Sequence, residues 1–60
     1  MRIIRLSEVM NRTGLGRSTI YKLMSEELFP RSVELMPRTV GWVETEVEEW
    51  ILERIARRDG

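Results

Sequence analysis

A segment at residues 13–24, TGLGRSTIYKLM, combines two cations, small hydroxyls and a phenol with an apolar pattern typical of a helix. Ile20, Leu23 and Met24 fall at positions i, i+3 and i+4, which places them on one face of that helix. The polar side chains occupy the opposite face and the flanks: Arg17, Ser18, Thr19, Tyr21 and Lys22. Groups of these types favour hydrogen bonds to phosphates and base edges over covalent chemistry.

The composition argues against an enzyme and against a metal site. The chain of 60 residues has no histidine and no cysteine, so it lacks the commonest general base, the commonest metal ligand and any disulfide. Four acids cluster at Glu44, Glu46, Glu48 and Glu49, and a solvated helix face explains them better than a metal site does. A chain this short also leaves little room for a cleft that would raise the pKa of a carboxyl group. We expect no catalysis, no metal and no cofactor.

The charges divide the chain into two ends of opposite sign. The net charge is zero and the pI is about 6.2. Residues 1–42 hold seven cations and four acids, a net charge of +3, whereas residues 43–60 hold three cations and six acids, a net charge of −3. No apolar run approaches the roughly 20 residues of a membrane span, and the N-terminus does not resemble a signal peptide. We therefore expect a cytoplasmic protein with no membrane partner.

The elements around the opening segment are predicted to be two short helices joined by a tight turn. The first helix runs from about Glu8 to Thr13, with Ser7 as its cap, and Gly14 ends it in a left-handed conformation. Leu15 and Gly16 form the turn. The second helix runs from about residue 17 to residue 26 or 27, before the Phe29-Pro30 pair.

The rest of the chain predicts a β-hairpin and a third helix. Two alternating runs, at residues 32–35 and 40–42, flank a turn at residues 36–39, where we expect Met36 to be exposed. The third helix runs from Glu44 to about Arg58, with a stripe formed by Val47, Trp50, Ile51 and Ile55. Both tryptophans and Phe29 are interpreted as core residues. The predicted fold is mainly α, a small winged helix-turn-helix over residues 1–60 as one domain.

This order of elements predicts a protein that binds double-stranded DNA. In such domains the second helix enters the major groove. Arg17 and Lys22 would reach phosphates or guanine edges, Ser18 and Thr19 would bond bases or phosphates, and the Tyr21 hydroxyl would donate to a phosphate. In the hairpin turn, Arg38 would contact the adjacent backbone or the minor groove.

Several parts of the chain resemble the AlpA family of small prophage-type transcriptional regulators, which have a winged, MerR-like helix-turn-helix. The resemblance covers nearly the whole chain and lies in residues 6–9, 13–21, 29–30, 40–42, 46–47 and 50–51. It implies that the second helix, with Arg17 to Lys22, is the recognition helix and that the hairpin around Pro37 and Arg38 is a wing.

Three positions depart from the family pattern. Glu27 or a neighbour replaces a glycine that ends the second helix, Glu34 replaces a residue that is often basic, and Met36 replaces a frequent glycine. The first departure suggests a different helix end. Glu34 would repel phosphate if it faced the duplex.

Two other functions are compatible with the same residues. The resemblance extends to excisionases, which bend DNA beside an integrase, and no residue separates such a factor from a transcriptional regulator. Alternatively, the acidic third helix would dock the protein onto another protein as an inhibitor, a hypothesis that the zero net charge favours. We also expect copies of the chain to associate on adjacent DNA sites, because the two ends carry opposite charges.

Overall fold

The computed structural model describes residues 1–58 as three helices and a small antiparallel sheet. The elements follow the order β1 (Ile3–Ile4), α1 (Leu6–Thr13), α2 (Arg17–Ser25), β2 (Val33–Met36), β3 (Thr39–Val43) and α3 (Glu44–Arg58). The predicted order of two helices, a hairpin and a third helix is confirmed, and so is the small winged helix-turn-helix fold.

The sheet contains one strand that the sequence analysis did not predict. Its order is β1-β3-β2, with Ile3 opposite Val43 and Ile4 opposite Trp42. A strand of two residues is too short to produce an alternating pattern in the sequence, so only its pairing with β3 reveals it. The strand matters because it fixes the N-terminal residues beside the hairpin and leads directly into α1.

The hydrophobic core takes one buried residue from nearly every part of the fold. It consists of Ile4, Val9, Ile20, Phe29, Trp42 and Val47. Trp50 and Ile51 pack against this core and are half-buried, whereas Ile55, predicted on the same stripe, is 44% exposed. The stripe of α3 therefore faces the core only along its first half, because the helix extends beyond the sheet.

The first helix begins earlier than the sequence predicted. It starts at Leu6, not Glu8, and Arg5 is the residue at its N-terminal boundary, with an extended conformation and no side-chain cap. The prediction of Ser7 as the cap was therefore wrong. The backbone carbonyl of Arg5 accepts hydrogen bonds from the N–H groups of Glu8 and Val9, both at 3.0 Å. The helix starts there because β1 delivers the chain to this point and Leu6 packs against the core.

The glycine that was predicted to end α1 does so in the expected conformation. Gly14 has φ 74° and ψ 8°, which is left-handed, and its N–H donates to the carbonyl oxygen of Met10 at 2.8 Å. Glycine adopts this conformation without the steric penalty of a side chain. The chain is thereby turned sharply into α2, whose N-terminal boundary residue is Gly16.

The second helix also ends at a left-handed residue, but this residue is not a glycine. Glu27 has φ 59°, and its N–H donates to the carbonyl of Met24 at 3.1 Å, while the N–H of Leu28 donates to that of Leu23 at 2.8 Å. These two bonds form a Schellman motif, in which glycine is the usual left-handed residue. The departure noted at Glu27 is therefore a residue held in a strained conformation.

The hairpin turn has a proline where its geometry favours one and an arginine where glycine is usual. Pro37 and Arg38 connect β2 to β3, and Arg38 has φ 65°. A proline followed by a positive φ is the combination of a type II turn. Met36 beside the turn is 61% exposed, which confirms its predicted exposure. Within the hairpin itself, Gly41 of β3 leaves no space for a side chain, because a Cβ there would collide with Ile3.

The helices of the described part of the chain do not have the length and apolar character needed to cross a membrane.

The conformation of Glu27 predicts a stabilising substitution. Glu27→Gly should raise the free energy of unfolding by about 1 kcal/mol, because a left-handed conformation is costly for any residue with a Cβ. The ion pair lost with Arg31 spans 3.7 Å between side chains that are 79–80% exposed, so it contributes little. Thermal unfolding followed by circular dichroism would measure the change, as a rise in Tm of about 4–8 °C per kcal/mol.

The matched control is Glu26→Gly, since Glu26 has φ −94° and gains nothing from glycine. This variant should be less stable than the parent protein. Equal changes in Tm for both variants would contradict strain at Glu27.

Candidate nucleic-acid interface

The second helix presents one face to the core and the other to solvent. Ile20 is fully buried, and Leu23 and Met24 are half-buried against the core, as the apolar stripe predicted. The predicted site residues of this helix are all exposed: Arg17, Ser18, Thr19, Tyr21 and Lys22. The helix is therefore held by its apolar face, and the side chains of the other face are exposed, with Tyr21 also in contact with the core.

The fold brings some of the predicted site residues together around one open depression. Arg17 and Tyr21 of α2 line it together with Arg38 of the hairpin turn, and its volume is about 430 Å³. Its lining does not include Ser18, Thr19 or Lys22, which lie elsewhere on the exposed face of the helix. The six predicted residues therefore divide into a group beside the hairpin and a group on the outer face of α2.

Tyr21 links the exposed face of α2 to the core. Its ring meets the buried ring of Trp42 edge-on, with centroids 6.3 Å apart, and the guanidinium carbon of Arg17 lies 6.0 Å from the Tyr21 centroid. An aromatic ring at such distances attracts both an aromatic edge and a cation. Tyr21 is 38% exposed, so one side of its ring can contact Arg17. Its contact with Trp42 of β3 fixes the position of the ring.

The same depression contains residues that the sequence analysis did not assign to the site. Arg5 and Ser7, at the start of α1, line it together with Leu6 and Val40. The sequence offered one usable signal, a cation three residues before the predicted helix start at Glu8. It could not show that β1 pairs with β3 and so places Arg5 beside the hairpin, 33 residues away in the sequence from Arg38.

The cations of the described residues fall into two classes. Several lie within 4.0 Å of carboxylates: Arg2 and Arg12 with Glu44, Arg12 also with Glu8 and Glu48, Arg31 with Glu27, and Arg57 with Glu53. Arg54 instead stacks on Trp50, with its guanidinium carbon 4.8 Å from the ring centroid. Like Arg54, four cations on or beside α2 have no carboxylate within 4.0 Å among residues 1–58: Arg5, Arg17, Lys22 and Arg38. Positive charge that is not locally neutralised is thus concentrated around α2.

Arg12 has a structural position despite belonging to the basic half of the chain. Its Nε donates to Glu8 at 2.8 Å, and its Nη2 and Nη1 lie 2.7 Å from Glu44 and 3.1 Å from Glu48. The hydrogen bond with Glu8 raises the pKa of Arg12, burial acts in the opposite direction, and the hydrogen bond and charge of Glu44 raise it further. The guanidinium therefore stays charged and joins α1 to the first turns of α3.

One acid lies close to the depression. Glu34 pairs directly with Val40, so both side chains lie on the same face of the hairpin, and Val40 lines the depression. A carboxylate there opposes an incoming anion, which is the effect anticipated from the sequence if this residue faced the duplex.

The remaining acids lie on a different part of the surface. Glu46, Glu49 and Glu53 of α3 line a larger depression of about 570 Å³ together with Arg31 and Trp50. Among the 58 described residues, no group of three or more acids has an arrangement suited to a metal ion. Glu46, Glu49 and Glu53 form a negatively charged surface along α3, which we call the negative wall. The depression that they line shares no residue with the depression beside the hairpin.

The two classes of cation predict different effects on stability. Arg12→Met should lower Tm clearly, because it leaves Glu8, Glu44 and Glu48 close together without their shared cation. Arg57→Met is the control, since its pair with Glu53 joins side chains that are 60% and 63% exposed, and it should change Tm little. Thermal unfolding at low and high salt would test this. Equal effects of the two variants would contradict a structural role for Arg12.

Comparison with known proteins places this arrangement in a family. Residues 2–55 match the family described as Prophage CP4-57 regulatory protein (AlpA). An uncharacterized protein, ORF88 of Enterobacteria phage P4, is 46% identical over 57 residues, and the match covers 95% of this chain and 65% of the phage protein. The DNA-binding transcriptional activator AlpA of Escherichia coli (strain K12) is 37% identical over 60 residues, a match that covers 90% of this chain and 86% of that protein. These matches confirm the resemblance found in the sequence, and the chain belongs to the AlpA family.

Proposed function

We propose that this protein is a DNA-binding transcriptional regulator of the phage or prophage type, with α2 in the major groove and the hairpin beside it. The observation that carries the proposal is the concentration of cations without ion pairs on α2, on the hairpin turn and at the start of α1. The relative in Escherichia coli that is named a DNA-binding transcriptional activator supports the same function.

The dimensions and side chains of α2 suit a major groove. An α-helix with its side chains is about 10–12 Å across and the major groove is about 12 Å wide, so the nine residues of α2 can lie in it. Ser18 and Lys22 are separated by four residues, so they lie on one side of the helix and would reach base edges or phosphates together. The methyl group of Thr19 would contact a thymine, and the hydroxyl of Tyr21 would donate to a phosphate.

A zero net charge does not oppose this function, because the charges are separated in space. The acids of α3 line a depression of their own, and Arg12 is neutralised by three carboxylates. What remains near α2 is a local excess of cations with Glu34 as the opposing charge. Such a local field, not the sum over the chain, determines attraction to a polyanion.

Binding of this protein to DNA should weaken as the salt concentration rises. Anisotropy of a labelled generic duplex should show binding whose log–log salt slope is about −3 to −5, because several phosphates are neutralised. The double variant Arg17→Ala, Lys22→Ala should bind more weakly and with a shallower slope, while Arg57→Ala, on α3, should leave both unchanged.

No binding of the parent protein even at low salt would contradict the proposal and favour docking of the acidic helix onto another protein. Charge reversal at Glu48 and Glu49 would then abolish activity, whereas the Arg17, Lys22 variant would retain it. Strong bending of the duplex, together with a gene position beside an integrase, would instead identify an excisionase-type factor.

We propose further that copies of the chain bind adjacent sites and contact each other. A single module of this size buries roughly 600–1,000 Å² on DNA, at the low end for specific complexes. The supporting feature is the negative wall of α3, where Glu46 and Glu49 have no ion pair within the described residues. This wall would face cations of the neighbouring copy that do not contact DNA.

Sedimentation of the protein with duplexes that hold one or several sites would test this association. Several sites should be filled cooperatively, and the variant Glu46→Gln, Glu49→Gln should reduce the cooperativity without weakening binding to a single site. One bound copy on the longer duplex, without cooperativity, would refute the association but leave DNA binding by the single module intact.

A further inference from the structure

We infer that the depression beside the hairpin holds one backbone phosphate of the DNA, and that Arg5, Arg17 and Arg38 bind it together. This inference rests on the proposed DNA binding and adds that different residues contact the DNA backbone and the bases. The three arginines would position the protein on the backbone, and Ser18 and Lys22 would remain to contact base edges. Arg5 would thus be a binding residue outside both the recognition helix and the wing.

The arginines come from three separate parts of the fold. Arg5 precedes α1, Arg17 is the first residue of α2 and Arg38 is in the turn between β2 and β3, yet all three line the same open depression of about 430 Å³. Guanidinium groups are planar forks of N–H donors that match the oxygens of a phosphate. The depression is open, so a phosphate that remains attached to its strand could enter it.

The charged residues that line the depression are all cations, and Glu34, opposite Val40 in the hairpin, is the nearby acid that opposes them. No carboxylate lines it, and none lies within 4.0 Å of these arginines among residues 1–58. Three like charges around one depression repel each other, and an anion between them reduces that repulsion. The other cations near acids, such as Arg12 and Arg57, have already been neutralised within the protein.

Two further features favour an anion at this place. Ser7 lines the depression with a hydroxyl donor, and the positive end of α1 adds to the field of the arginines. Tyr21 supports Arg17, whose guanidinium carbon lies 6.0 Å from its ring centroid, and so limits the positions that Arg17 can take.

Variants for the test must remove charge without disturbing the backbone. Arg5→Gln and Arg17→Gln keep the length of the side chain. Arg38 has φ 65°, so Arg38→Asn is preferable to alanine, because asparagine tolerates a left-handed conformation. Arg57→Gln is the matched control on α3. Circular dichroism would confirm that each variant is folded at the temperature of the binding assay.

The decisive measurement is the salt slope of duplex binding by anisotropy. The slope counts the phosphates that are neutralised. Arg5→Gln leaves two arginines on the shared phosphate, so it should weaken binding and make the slope shallower by less than 1, and the double variant Arg5→Gln, Arg38→Asn should differ from the parent by about 1 at most. Arg57→Gln should not change the slope. A change of about 2 in the double variant would mean two separate phosphates and would overturn the inference.

The dependence of binding on DNA sequence tests whether different residues contact the backbone and the bases. Binding would be measured to a duplex selected from random DNA and to a scrambled duplex. Arg5→Gln and Arg17→Gln should weaken binding to both duplexes by the same factor, whereas Lys22→Ala should weaken binding to the selected duplex more. A loss confined to the selected duplex in Arg17→Gln would assign Arg17 to a base and overturn the shared phosphate.

Two outcomes separate this inference from the proposed function. If the parent protein binds DNA and the Arg17, Lys22 variant does not, but Arg5→Gln binds normally, the phosphate site is refuted and the DNA-binding function stands. If millimolar inorganic phosphate raises the Tm of the parent protein but not of Arg5→Gln, and the salt slope of Arg5→Gln is unchanged, the depression binds a free anion and not the DNA backbone.

Discussion

The structure depends on the central strand β3 and its buried Trp42. This strand pairs with β1 on one side and β2 on the other, and the Trp42 indole is fully buried, with its N–H donating to the carbonyl of Pro30 at 3.2 Å. The same ring contacts Tyr21 of α2 edge-on. Trp42 therefore fixes the positions of α2, the hairpin and β1 relative to one another, in a core too small to do so through many independent contacts.

The separation of charge follows from this arrangement. The helix α1 lies between two groups of charged residues: its start, at Arg5 and Ser7, lines the depression beside the hairpin, while Arg12 near its end bonds to α3. Acids of α3 neutralise cations within the protein, and the cations beside α2 remain without ion pairs among the described residues. A protein with no net charge thus presents a local excess of positive charge, which is what a nucleic acid would meet.

Much of the fold could be predicted because short-range rules governed it. Gly14, the Pro37-Arg38 turn and the apolar stripe of α2 each act through local geometry, so their conformations follow from residue type and spacing. The predictions that failed depended on partners distant in the sequence. Ser7 did not cap α1 because β1 leads to an earlier helix start. Ile55 is half exposed because the core contacts only the first half of α3.

The sequence by itself determined the order of the three helices and the hairpin, the family and the candidate cations on α2, because periodicity, turn residues and charge are properties of neighbouring positions. Only the tertiary structure decided which cations remain without ion pairs and which meet around one depression. Arg5 and Arg12 are both basic residues of the N-terminal region, yet one lines the depression beside α2 and the other is bound by three carboxylates. That difference depends on the pairing of β1 with β3 and the packing of α3, and no local pattern records either.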